Sequence, residues 1–229
     1  MGKAVQKIFS AVPHSYELVN HVLTFGLDMV WRRKAAKIAA TGGGATWIDV
    51  CTGTGEMAVY LSRLAKKTTV VAADFSIPMI RKATTKPEAR QIAFILGDVR
   101  TLPFRDGTFE LVTISFATRN INISRDILMR HFREFYRILK PGGRLVNLET
   151  SQPSSRLVRG LFHLYVRLAV RRLGGIISGS RAGYAYLAHT IPRFYSADEL
   201  VDIMGQAGFV KVRFYRTMFG VAAIHKAVK

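Results

Sequence analysis

Between residues 45 and 149, short apolar runs alternate with stretches of helical periodicity, and this alternation limits the fold more than any other feature. "ATWIDV" reads as a strand and 55–66 as a helix. "TTVVAAD" is a second strand, after which Ser76 is placed to cap the helix "IPMIRKAT". "IAFILGD" is a third strand and "FELVTISF" a fourth. A helix over 125–139 stops at Lys140-Pro141-Gly142-Gly143, and "RLVNLE" is a fifth strand. Strands separated by helices in this way require βαβ units, hence a parallel sheet covered on both faces.

The flanks complete the pattern. Residues 1–43 read as helical, with "WRRKAAKIAA" the clearest helix and Gly42-Gly43-Gly44 ending it. Ser196 and Glu199 have the spacing of a capping box, and "FVKVRFYRT" and "FGVAAIHKAV" read as two last strands. The expected fold is therefore α/β, a doubly wound, mostly parallel, seven-stranded sheet of Rossmann-like type. At 229 residues it fits one domain. Within it, 1–43 would be a helical cap, 44–150 the ligand-binding core, 151–192 a helical insertion and 193–229 a closing helix with a strand pair.

Composition narrows the function classes. With 49% hydrophobic residues the chain can build a full core. No apolar run approaches the roughly 20 residues of a spanning helix. "MGKAVQKIFSAV" lacks a signal peptide's apolar centre, so a cytoplasmic location is expected. The single cysteine, Cys51, excludes an internal disulfide, and His163, His189 and His225 are too scattered for a metal site. The net charge of +19 allows nucleic acid, an anionic membrane or an acidic metabolite as partner. Part of it is local: 150–197 holds Arg156, Arg159, Arg167, Arg171, Arg172, Arg181 and Arg193, and no acid.

Open parallel sheets bind ligands at the carboxyl ends of their strands. Asp49, Asp74 and Asp98 are the acids expected there. Gly53 and Gly55, beside Thr54, let backbone approach a ligand closely before the next helix begins. Asp74 is placed to accept both hydroxyls of a ribose. Asp98 is placed to accept from an adenine amino group, with Val99 supplying an amide, and Asp49 to hold a cationic amino group or the loop itself. "GTGEMA" also fits the loose dinucleotide pattern G-x-G-x-x-A, but Asp49 would then set a negative charge near a pyrophosphate. A phosphate-free sulfonium cofactor, S-adenosylmethionine, suits that acid.

The chain resembles the class I S-adenosylmethionine methyltransferases, and in particular the quinone-ring C-methyltransferases of menaquinone and ubiquinone biosynthesis. "YELVNHVLTFGLDMVW" is similar to that family's first signature and "RILKPGGRLVNLETS" to its second, while "TISFATRNI" and "YAYLAHTI" resemble two further stretches. The resemblance implies cofactor contacts at Thr54, Asp74, Asp98, Val99 and Ser115. Glu17, Val19, Thr24, Cys51, Asp28 and His189 depart from the family pattern, the last two in ways that bear on the acceptor.

Such an enzyme would methylate a ring carbon of a reduced, polyprenyl-tailed quinol. Aromatic carbon becomes nucleophilic when a neighbouring phenol gives up its proton. Arg119 is expected to stabilise the phenolate, Asn120 to orient a hydroxyl or water, and Tyr16 to close the pocket. The proton acceptor is open between bound water, Asp28 and His189. Leu157, Leu161, Leu164 and Leu168 share a helix face beside His163, Arg167 and Arg171, which suits an anionic membrane surface as well as an ordinary packed helix. A homodimer is a further expected assembly. Methylation of another lipid-like acceptor, or of RNA, is the rival reading.

Overall fold

The computed structural model describes residues 16–170, 172 and 181–229, without the side chains of Tyr16 and Arg181. Seven strands form one sheet: β1 (Thr46–Val50), β2 (Thr69–Asp74), β3 (Ile92–Leu96), β4 (Phe109–Ser115), β5 (Leu139–Thr150), β6 (Val210–Thr217) and β7 (Ala222–Val228). Their order is β3-β2-β1-β4-β5-β7-β6. Neighbours from β3 to β5 are parallel, whereas β7 runs antiparallel to both β5 and β6. The order reverses between β1 and β4, so a crevice opens at their carboxyl ends.

Nine α-helices precede, separate and follow these strands among the described residues: α1 (Tyr16–Leu23), α2 (Leu27–Ala40), α3 (Glu56–Leu64), α4 (Ile77–Ala83), α5 (Thr118–Ile121), α6 (Arg125–Ile138), α7 (Arg156–Tyr165), α8 (Arg181–Thr190) and α9 (Ala197–Gln206). Strand alternation sends side chains to two cores. Ile48, Val50, Val112 and Ile114 pack with Phe132, Phe135, Leu200 and Ile203 from α6 and α9. Trp47, Val70 and Leu111 pack on the other face, with Trp31, Ala35 and Ala39 of α2 and Met57 and Leu61 of α3. A third cluster lies apart from the sheet, where Val19 and Leu23 of α1 meet Val166, Val170, Tyr184 and Ile191. That cluster places the helices over the crevice.

Several boundaries differ from the sequence reading. The expected helix over 1–43 is interrupted after Leu23, where Phe25 and Gly26 take left-handed backbone (φ 53° and 74°); residues 1–15 lie outside the described residues. β5 begins at Leu139 and runs through Lys140-Pro141-Gly142-Gly143, the segment read as a stop, since residues 142 and 143 hydrogen-bond Lys229 just past the end of β7. β3 ends at Leu96 rather than Asp98. Ser76 occupies the N-cap of α4 by position, yet its hydroxyl is buried without a partner and caps nothing. The Ser196–Glu199 capping box forms as expected. The helical segment 152–192 consists of α7, a π-helical turn (Val166–Val170), α8 and a 3-10 turn (Ile191–Arg193); Arg171 and 173–180 lie outside the described residues. No helix among the described residues is long and apolar enough to cross a membrane.

Candidate active site

The turn after β1 is shaped by backbone before any side chain acts. Cys51, Gly53 and Gly55 all have positive φ (52°, 57° and 82°). The Gly55 N–H donates to the Thr52 carbonyl at 2.9 Å, and the Thr52 N–H to the Ala73 carbonyl at 3.0 Å. A Cβ on Gly53 would meet nothing within 4 Å, so this side of the loop is open to a ligand. A Cβ on Gly55 would sit 3.0 Å from that of Ala83, so glycine there lets α3 close against α4.

Asp74 couples the loop to β2. It accepts the Gly53 N–H at 2.8 Å on one oxygen and the Ser76 N–H at 2.9 Å on the other. Burial holds its carboxyl above the ordinary range, against the pull of those amides. Together with Thr52, Gly53, Thr54, Ser115 and Asn120 it lines a compact pocket. Cys51 lines it too, its thiol pushed up by burial and by nearby carboxylates.

Asp49 does not end its strand. It is the fourth of five residues in β1, is fully buried, and accepts Thr52 Oγ1 at 2.6 Å and Thr113 Oγ1 at 2.7 Å. Burial raises its carboxyl to about 6. It lies outside the pocket lining and holds the loop, one of the two roles that the sequence allowed. Asp98 and Val99 also lie outside that lining. With β3 ended at Leu96, Asp98 accepts the N–H and guanidinium of Arg100; burial pushes its carboxyl up, but Arg100 holds it below the usual range.

A second, larger pocket lies beyond the first, with walls contributed by α1, α2, α7, the π-helical turn and the 218–221 turn. Leu23, Leu161, Phe162, Tyr165, Val166 and Phe219 make it apolar; Asp28, Arg32, Arg119 and Thr150 are among its polar groups. Arg32 and Phe116 line both pockets, the guanidinium carbon 4.8 Å from the ring centroid. The short helix α5 divides its residues between them. Arg119 faces the larger pocket and Asn120 the smaller. Arg119 is buried, donates its N–H to Glu149 at 3.0 Å and a guanidinium N–H to Thr190 at 2.7 Å. Its Nε and the Oδ1 of Asn120 are buried without partners.

The remaining expectations separate cleanly. Asp28 lines the larger pocket, but His189 is exposed on α8 beside Arg193, away from both linings. Tyr16 opens α1, and its side chain lies outside the described residues. His163 bonds Gln152, and buried His225 faces the Ala197 carbonyl. Sequence reasoning missed Arg32, His21 and Glu56. The signal was there: Asp28, Trp31, Arg32, Ala35, Ala36 and Ala39 follow helical spacing, so a carboxylate and a guanidinium four residues apart share the buried stripe of α2. His21, Asp28 and Glu56 bring donor atoms within 4.8 Å of one another, but Arg32 pairs with both carboxylates and is the cation of that cluster.

Comparison with known proteins gives the family and the fold. The chain is 36% identical to the ubiquinone/menaquinone biosynthesis C-methyltransferase UbiE of Desulfotalea psychrophila, covering 100% of this chain and 91% of that one. It is 40% identical to the demethylmenaquinone methyltransferase of Thermus thermophilus, covering 95% and 98%. In fold it is similar to a SAM-dependent methyltransferase from Thermotoga maritima, described as a possible histamine N-methyltransferase, with a TM-score of 0.66 at 20% identity over 98% of this chain and 99% of that one. Human N-acetylserotonin methyltransferase in complex with SAM gives 0.64 at 17% identity, over 94% and 57%. The ubiE/COQ5 methyltransferase family matches residues 1–229, and the chain belongs to that family.

Proposed function

We propose that this methyltransferase uses S-adenosylmethionine to methylate a ring carbon of a polyprenyl quinol, of demethylmenaquinol type, in quinone biosynthesis. The observation that carries the reading is the pair of pockets meeting at Arg32 and Phe116, one compact and of mixed polarity, the other large and apolar. The names of the curated relatives support the same acceptor class and give no support to RNA or an unrelated small molecule.

The smaller pocket suits the cofactor. Asp74 keeps free lone pairs toward a ribose diol, Gly53 leaves open space for close backbone approach, and the unpartnered Asn120 Oδ1 points to a missing donor. Thr54 and Ser115 complete the wall. When bound, the cofactor supplies an electrophilic methyl on a sulfonium. The chain's own residues then have to place the acceptor and exclude water. The apolar pocket takes the ring and the start of the prenyl tail. Arg119 stabilises the negative charge that develops on the acceptor oxygen, since a guanidinium is too weak an acid to serve as a base. Asp98 and Val99 belong to the adenine end if the 97–101 turn closes on the ligand.

The mouth of the larger pocket extends the proposal. Phe25, Phe219 and Leu161 line it yet are 82%, 79% and 60% exposed, and Leu157 is exposed on the same helix as Leu161. Arg156 and Arg167 are exposed on the same segment, and Arg159 is half-buried. An apolar rim with flanking arginines suits an anionic bilayer, where a prenylated acceptor resides; each basic residue there adds about 1 kcal/mol. The expected homodimer would use the same exposed face.

A methylation assay with reduced quinones of graded tail length, their oxidised forms and RNA tests the reaction. Only the quinols should be methylated, and an oxidised quinone methylated equally fast would overturn the phenolate route. Co-sedimentation with anionic and neutral vesicles tests the rim. The expected result is salt-sensitive binding to the anionic ones, lost on Arg156→Gln with Arg159→Gln and Arg167→Gln. Binding unchanged by those substitutions would refute the membrane assignment, and concentration-dependent sedimentation without vesicles would give the face to a second copy.

A further inference from the structure

Four charged or titratable side chains close a ring where α1, α2 and α3 meet. His21 Nδ1 lies 2.8 and 3.0 Å from the two oxygens of Asp28, and its Nε2 lies 3.3 Å from Glu56. Arg32 closes the circuit, 2.6 Å from Asp28 and 3.3 Å from Glu56. Thr24 Oγ1 donates to Asp28 at 2.7 Å, and its backbone segment is the bend between α1 and α2. The ring joins the two pockets. Asp28 lines the larger one, Glu56 the smaller, and Arg32 both. Asp28 is buried, whereas the His21 side chain keeps 26% of its surface in solvent.

From this arrangement we infer that the ring is the proton exit of the reaction, with Asp28 the acceptor of the ring hydroxyl's proton and His21 the group that passes it to water. The inference rests on the proposed methylation of a phenolic ring. Transfer of a methyl from a sulfonium to an aromatic C–H carbon releases one proton per turnover. The hydroxyl O–H bond breaks, its electron pair stays on oxygen and flows into the ring, and the carbon bonds the methyl as the S–C pair returns to sulfur. The carbon then gives up its hydrogen to water and the oxygen takes one proton back from water, so that of two protons released one leaves for good. Without a route out, the first proton would stay on a buried carboxylate. His21 is the one member of the ring both bonded to Asp28 and open to solvent, so its imidazole connects the buried carboxylate to water. Facing it are Asp28 from α2 and Glu56 from α3, with Arg32 between the two carboxylates. Asp28 touches the acceptor and is catalytic in this assignment. His21 acts through it and is a positioning residue.

The test compares wild type, His21→Gln and Asp28→Asn on a reduced quinol. His21→Gln should lower kcat on the order of 10²-fold at neutral pH, leave both KM values unchanged, and recover with rising pH or added imidazole. Asp28→Asn should lose as much without recovery at high pH. A second readout needs no turnover: the NMR signal of the His21 ring should shift when quinol is added without cofactor, and should stay put in Asp28→Asn. If Asp28→Asn does not fold, His21→Gln and the wild-type titration still decide. A wild-type kcat and pH profile in His21→Gln overturns the relay and leaves the methylation reading intact. A wild type inactive on every quinol overturns the methylation reading and this role with it.

Discussion

Asp49 and Asp74 sit on neighbouring strands and do opposite work. Asp49 is sealed inside and holds the glycine loop through Thr52 and Thr113; Asp74 holds the same loop from the pocket side. Sequence placed Asp74 at a ribose and left Asp49 between a cationic amino group and the loop itself; the choice for Asp49 depends on the register between β1 and β4, which brings Thr113 beside it. The sign of the Asp49 effect is definite. Its carboxyl rises from 3.8 to about 6 on folding, so it favours the folded state below 3.8 and that help is lost as pH climbs through 6. Asp49→Asn, which retains an acceptor for one threonine, should therefore gain up to about 3 kcal/mol relative to wild type as pH rises from 4 to 7. Urea melts across that range measure it, and a constant difference between the two proteins would refute it. For Asp74→Ala the expected loss is about 1.5–3 kcal/mol of S-adenosylmethionine binding per charge-assisted bond, read by titration calorimetry in a folded variant. Strain gathers at the same place. Of the six non-glycine residues with positive φ among the described residues, Cys51, Phe116, Phe25, Met218 and Phe219 line the pockets.

At the scale of elements, periodicity located every strand and erred where a local signal had two meanings. Pro141-Gly142-Gly143 reads as a helix stop, which it is, but the same residues already lie in the strand that follows. Ser76 has the residue type and position of a cap, yet its hydroxyl finds no N–H. Ser196 has both the type and a Glu199 to answer it, and there the cap forms. Ser196→Ala should accordingly cost about 0.5–2 kcal/mol through fraying of α9, visible as a lower Tm with cofactor affinity unchanged. The ring of α1, α2 and α3 was the least legible part. Arg32 stands in "WRRKAAKIAA", where two arginines suggest a solvated face, and only the helical phase of Trp31 and Ala35 reveals that the first of them points inward. No spacing rule connects His21 to Glu56, which meet only because α3 packs across α2.

The whole molecule carries its charge unevenly, and its acid response follows from buried bases rather than from the +19 surface. Burial holds His131 and His225 down from 6.5 to about 4. Both fold as neutral rings, so each contributes stability above 6.5 that is lost as pH falls through 4. Asp49 and Asp74, both raised by burial, work the other way over the lower part of that range, while His163, also held down by burial, adds to the two buried histidines. The midpoint of urea unfolding should fall between pH 6.5 and 4, and His225→Asn should flatten the decline if it folds, with His131→Asn as the second test of the same slope.

The wall that Arg32 and Phe116 share has a kinetic meaning. A group that lines both pockets would meet both of the proposed ligands, so occupation of either pocket should alter affinity for the second ligand. Linkage makes that alteration reciprocal: whatever factor the cofactor lends to quinol binding, the quinol lends to cofactor binding. The demethylated cofactor product, having lost the cation, would lend a different factor. Release of the methylated quinol would then be timed by the charge state of what remains next door.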